Sequence, residues 1–170
     1  MKEPLSDGPI KEGLRTLLWD TGKKKLELSY KNYKLDGICK SWYENGQKES
    51  ELNWSGGKQN GLETRWFDNG QKKFERNFKD GEENGLRTVY HEDGYKLSEE
   101  NFKNEIKHGL STAYHKNGQK ECENTFKNGK EDGLLTYWYK NGQKQFEQNF
   151  KDGKGNGLFT AWYKKGQKDF

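Results

Sequence analysis

Proline is nearly missing from this 170-residue chain: the two copies, Pro4 and Pro9, both precede residue 13, so the remainder can pair its backbone without a lost donor. Cysteine is almost as scarce. Cys39 and Cys122 are the only two, far apart and at different repeat positions, which argues against a bridge between them. No apolar run approaches the 18 residues of a membrane helix, and no apolar leader segment precedes a cleavage pattern. Like charges never run five or six together, and the formal net charge of +4 is spread along the chain, so a nucleic-acid tail is not expected. Apolar residues make up only 28%, with a mean hydropathy of −1.40, values that ordinarily accompany disorder. Against disorder stands a 14% aromatic content held at regular positions.

That regularity is a repeat. Glycines stand at 13, 37, 61, 85, 109, 133 and 157, in steps of 24 with no insertion, and a second series follows nine residues later, from Gly22 to Gly166. Lysine comes two residues after each glycine of the second series, and glutamate recurs from Glu27 to Glu147. A fixed period of this size marks a stack of like units, each packing on its neighbours. Residues 1–12 read as a lead-in, with Ile10 placed to cover the first edge, and residues 13–170 as seven units.

Each unit reads as a β-hairpin. Gly133–Tyr139 alternates Leu134, Thr136 and Trp138 with Leu135, Tyr137 and Tyr139, and Lys140-Asn141-Gly142 then supplies a strong hairpin turn signal. A three-residue loop ending in a left-handed glycine moves the pairing by one residue relative to a two-residue loop. In that register Phe146 and Phe150 join Leu134 and Trp138 in a structural ladder, as Phe74 and Phe78 join Leu62 and Trp66. Glu147 and Asn149 then take the other face. The expected fold is all-β: an elongated single sheet of repeated antiparallel hairpins, rising about 9–10 Å per unit to a ribbon roughly 65 Å long.

The run Phe150-Lys151-Asp152-Gly153-Lys154, followed by Gly157-Leu158, Thr160, Trp162-Tyr163 and Gly166, resembles the MORN-repeat variant family. Phe78-Lys79-Asp80-Gly81, Phe126-Lys127-Asn128-Gly129 and His108-Gly109 match the same pattern, and the dominant Asn-Gly-Gln-Lys hairpin is similar to the bacterial form. The resemblance spans nearly the whole chain. It implies a linear array of hairpins and carries no catalytic motif onto any residue. Relatives of this kind include membrane-junction scaffolds and proteins named antitoxins or immunity proteins of secreted toxins.

Chemistry is sparse. His91 and His115 share a repeat position about 10 Å apart, too far to share one zinc ion, and His108 lies at another site. Cys39 is expected on the exposed face without a positioned base, and Cys122 replaces an aromatic in apolar packing. The glutamate row has similarly wide spacing, which suits local pairing with lysines better than catalysis. No catalytic residue, cofactor or metal is expected. The row following the ladder, Tyr43, Phe67, His91, His115, Tyr139 and Tyr163, falls on the face opposite the tryptophans and is the expected partner-binding surface. The reading is a non-enzymatic protein-binding module, an antitoxin or immunity protein with a toxin as partner. The alternative is a membrane-associated or cell-surface glycan-binding scaffold. A homodimer through an open sheet edge is expected. The location is cytoplasmic, or periplasmic or cell-surface if a signal was trimmed.

Overall fold

The computed structural model describes residues 10–169. Among them there is no helix, and 17 strand segments form one antiparallel sheet in which each hairpin pairs with the next along the chain. The predicted fold is present. The lead-in of residues 1–12 falls largely on positions 1–9, outside the described residues.

Within a unit the hairpin loop has three residues, as the side-chain pattern predicts. Tyr139 N donates to Gln143 O at 2.9 Å and Gly142 N to Tyr139 O at 2.8 Å, enclosing Lys140, Asn141 and Gly142. Gly142 takes φ of 82°, a region in which a side chain would be strained. The facial consequence differs from the prediction, because a second irregularity follows at once. Trp138 pairs with Lys144 but Tyr137 pairs with Phe146, leaving Gln145 as an extra residue in a β-bulge. The same shift follows Leu17, Ser41, Arg65, Val89 and Ala113. Two one-residue offsets cancel, and a one-residue slip exchanges faces. Phe146 therefore lies opposite Tyr137, Thr136 lies opposite Glu147, and Leu134 lies opposite Asn149.

The structural ladder thus divides between two faces. Leu62 and Trp66, like Leu134 and Trp138, lie with the lysine, glutamate and asparagine columns on what we term the tryptophan face. Phe74 and Phe78, like Phe146 and Phe150, lie with Arg65 and Gly61, or Tyr137 and Gly133, on the phenylalanine face. Cys39 is corrected by the same bulge: it pairs with Leu52 on the phenylalanine face and is buried rather than exposed.

Units are joined by two-residue turns in which both residues have positive φ, such as Asp152 (52°) with Gly153 (80°) and Asn104 (50°) with Glu105 (64°). Such turns match the right-handed twist of the strands they connect. A further bulge then opens at the glycine beginning each unit. At Gly61 (φ 108°), Asn53 Nδ2 reaches across to donate to Leu62 O at 2.6 Å, and a Cβ on Gly61 would stand 3.3 Å from that of Asn53. The glycine leaves room for an amide that replaces a missing ladder bond. Asn77 and Asn101 do the same for Leu86 O and Leu110 O.

Candidate interaction surface

The tryptophan face repeats almost unchanged. Each interior unit places Leu or Ile opposite Asn or Thr, then Thr or Lys opposite Glu, then Trp or Tyr opposite Lys. The lysine bonds the glutamate of its own unit: Lys48 to Glu51 at 2.8 Å, Lys72 to Glu75 at 2.7 Å, Lys144 to Glu147 at 2.6 Å. Its ammonium also reaches the aromatic ring of the following unit, Lys48 over Trp66 at 4.9 Å and Lys144 over Trp162 at 5.4 Å. Where that ring is a tyrosine, the hydroxyl donates back: Tyr90 to Glu75 at 3.0 Å and Tyr114 to Glu99 at 2.6 Å. Burial and these carboxylate contacts push both phenols up to about 12. Beneath these contacts Thr64, Thr88, Thr112 and Thr136 are buried. The lysine, glutamate and aromatic columns of this face hold one unit on the next.

The row expected to bind a partner lies at the hairpin ends, and the structure gives it a second task. Tyr43 Oη donates to Trp66 O at 2.8 Å, Tyr139 Oη to Trp162 O at 3.1 Å, Trp19 Nε1 to Trp42 O at 3.1 Å, and His115 Nε2 meets Trp138 O at 2.9 Å. Each bond crosses to the next unit. Phe67 is covered by Lys73 at 5.5 Å, and His91 stacks on Tyr95 at 4.6 Å. These side chains are half-buried, apart from Tyr163 at the final turn, which is exposed. His91 and His115 occupy successive turns, and among the described residues no three His, Cys, Asp or Glu side chains gather in a way that could hold a metal.

The phenylalanine face is where the units differ. Units one and two present Leu26, Leu28, Leu35, Leu52 and Trp54 around Cys39, Ser41 and Ser50, with a cleft of about 130 Å³. Ser41 and Ser50 bond each other at 2.7 Å. Units three and four carry a chain of charges. Glu63, 1% exposed, accepts from Arg65 at 2.7 Å and Arg76 at 2.6 Å. Arg87 bonds Glu83 at 2.5 Å and reaches Glu100 at 3.7 Å, and Lys107 closes the chain on Glu100 at 2.5 Å. Phenyl rings roof it: Arg76 lies 4.7 Å from the Phe78 ring and Arg87 4.5 Å from Phe102. Glu83 Oε1 is buried without a hydrogen-bond partner. A cleft of about 180 Å³ opens between Phe74, Arg76, Arg87 and Val89. Unit six is aromatic, with Phe146 stacked on Tyr137 at 4.6 Å and tilted against Phe159 at 5.5 Å.

Sequence reasoning missed this face because it paired the phenylalanines with the tryptophans. The signal was available in the lysine and glutamate three residues apart in every complete unit: an odd spacing cannot put two partners on one face of an unbroken strand.

One open sheet of like hairpins, with adhesive contacts on one face and individual contacts on the other, defines a hairpin-repeat module. The MORN repeat variant model matches residues 35–55, 59–80, 83–104, 107–128 and 131–152, well over half of the chain. The protein belongs to the MORN repeat variant family. No curated protein matches the chain.

Proposed function

We infer that the protein is a non-enzymatic protein-binding module and that its phenylalanine face meets the partner. One observation carries this reading: units that are nearly interchangeable on the tryptophan face carry different chemistry on the phenylalanine face, apolar, then charged, then aromatic along the sheet. Stability alone would accept the same side chains in every unit, as it does on the other face. A graded surface offers one orientation and register to a partner, and the cleft between Phe74, Arg76, Arg87 and Val89 suits an inserted side chain as an interface anchor. The narrower proposal, an antitoxin or immunity protein whose partner is a toxin, rests on the family resemblance, and co-expression with candidate toxins tests it.

The test of the surface uses paired substitutions. Phe74→Ala with Val89→Ala empties the cleft, and Asp68→Ser with Lys140→Ser changes exposed positions in the hairpin turns, off both faces. A partner captured by the wild-type chain from the source organism should bind the first variant at least about ten-fold more weakly, a change of about 1.4 kcal/mol, and the second unchanged. Loss of binding by the second variant alone would overturn the assignment.

A further inference from the structure

The tryptophan face carries an apolar row that the unit-to-unit contacts leave uncovered. Leu14, Ile38, Leu62, Leu86, Leu110, Leu134 and Leu158 occupy one position of successive units. The five interior members are 41–45% exposed, and the outer two are 60% and 80% exposed. A residue exposed once is unremarkable, but the same aliphatic exposed in seven successive units is a continuous stripe.

Beside it runs a strip of one charge sign. The strand positions flanking each two-residue turn hold Lys31 with Lys34, Ser55 with Lys58, Lys79 with Glu82, Lys103 with Ile106, Lys127 with Lys130, and Lys151 with Lys154. All twelve are exposed, and nine are lysine against one glutamate. Only Lys151 among the nine forms an ion pair within the described residues, with Asp132 at 2.9 Å. Lys127 stands two residues beyond Thr125, the partner of Leu110, so the lysine strip lies about 7 Å from the apolar row. On the other side of the row lie Glu51, Glu75, Glu99, Glu123 and Glu147, each already bonded to a lysine.

We propose that this stripe docks an acidic amphipathic helix of a partner protein, laid along the length of the array. Successive leucines are two strands apart, about 9.6 Å, and one heptad of helix advances about 10.5 Å, so one apolar residue per heptad keeps near step with one leucine per unit. A helix about 10–12 Å across covers the leucine row and brings its flank over the lysine strip, where carboxylates find unpaired ammonium groups. A lipid surface fits less well. The apolar stripe is one residue wide, and an anionic bilayer pressed on this face would also meet the glutamate row. This surface is separate from the phenylalanine face, and the proposal stands or falls independently of that reading.

The probe is a synthetic helix of about four heptads with leucine on one stripe and glutamate on one flank, compared with a twin in which lysine replaces glutamate. Binding to the full chain is followed by fluorescence anisotropy and by gain of helical circular dichroism. The acidic peptide should bind at least about ten-fold more tightly than its basic twin. Leu86→Glu with Leu110→Glu should lose that binding. Lys79→Glu with Lys103→Glu and Lys127→Glu should reverse the preference towards the basic twin. All five positions are exposed, so thermal melting should stay close to wild type, and the Phe74→Ala, Val89→Ala pair should bind the peptide normally. Equal affinity for the two peptides, or binding indifferent to both sets of substitutions, overturns the proposal. So does sedimentation with phosphatidylserine vesicles that is lost in these variants while the peptide stays unbound.

Discussion

Lys144 and Glu147 are three residues apart on one strand, yet their side chains meet at 2.6 Å on the same face. A regular strand forbids that contact, since successive side chains point to opposite faces. The bulge at Gln145 permits it, and the same bulge decides which residues the array hides.

A first prediction follows for the thiols. In the bulged register Cys39 is 4% exposed and burial pushes its thiol up, while Cys122 is half-buried and is raised chiefly by burial as well. Both should react with a thiol reagent far more slowly than a free cysteine, with Cys39 the slower. Labelling followed by mass spectrometry reads this directly. Rapid modification of Cys39 in the folded chain would show that the bulge is absent and the faces exchanged.

The repeat period, the hairpin loop and the antiparallel sheet were legible because each depends on residues that recur every 24 positions. Gly142 and Asn141 signal their turn through backbone preference alone, with no need of tertiary context. The bulge after the loop carries no such residue: its positions are Lys25, Glu49, Lys73, Leu97, Glu121 and Gln145. Only the lysine–glutamate spacing around it reveals the offset. The charge chain from Glu63 to Lys107 was hidden for another reason. It links units, and its members become neighbours only when the register of successive hairpins is known.

Removing Phe78 should cost more than removing an equivalent aliphatic from the opposite face. Phe78 is 9% exposed beneath the Arg76 guanidinium, whereas Leu62 is 42% exposed. Phe78→Ala is expected to destabilise the array by about 3–5 kcal/mol, the usual range for a buried phenylalanine. Leu62→Ala should cost less than half as much. Urea titrations of the two variants decide it, and the assignment of the covered face fails if Leu62→Ala proves the more damaging.

Glu63 offers a sharper test of the charged centre. It is 1% exposed and holds Arg65 and Arg76 through different carboxylate oxygens. Glu63→Ala would leave those guanidiniums facing each other across a vacated site, and losing one member of a buried pair typically costs about 3–5 kcal/mol. Replacing the partners together, Glu63→Leu with Arg76→Leu, should recover much of that loss, since a packed apolar pair needs no compensating charge. Equilibrium unfolding of the single and double variants provides the comparison. A double variant as unstable as Glu63→Ala would mean that the ion pair has no apolar substitute here.

Alkali should weaken the joints between units. Tyr90 and Tyr114 are raised to about 12 by burial first and then by their bonds to Glu75 and Glu99. An unfolded tyrosine ionises near pH 10, so the unfolded chain gives up these protons earlier. The stabilisation is complete below about pH 10 and is lost as pH rises through the folded value, towards about 12. Tyr114→Phe should flatten part of the fall in melting temperature across that window. Tyrosinate absorbance followed during unfolding supplies the check, and an unchanged slope in the variant would contradict the assignment.

In the fourth turn an aspartate stands where the neighbouring turns carry asparagine. Asn45, Asn69, Asn117 and Asn141 each donate Nδ2 to a backbone carbonyl of the next turn, at 2.8–3.1 Å. Asp93 occupies that position in unit four and has no amide to give. Lys116 bonds its carboxylate at 3.1 Å instead, and that ion pair holds Asp93 below the usual carboxylate range. The neutral rungs should be indifferent to salt, whereas an exposed ion pair is screened by it. Asp93→Asn restores a side chain able to donate to the Lys116 carbonyl and removes the exposed pair. Its melting temperature should be at least that of the wild type at high salt and should vary less with ionic strength. Melting curves across a salt series measure both quantities. If the variant melts lower at every salt concentration, the Asp93–Lys116 pair is the stronger joint, and the amide column is not what holds neighbouring turns together.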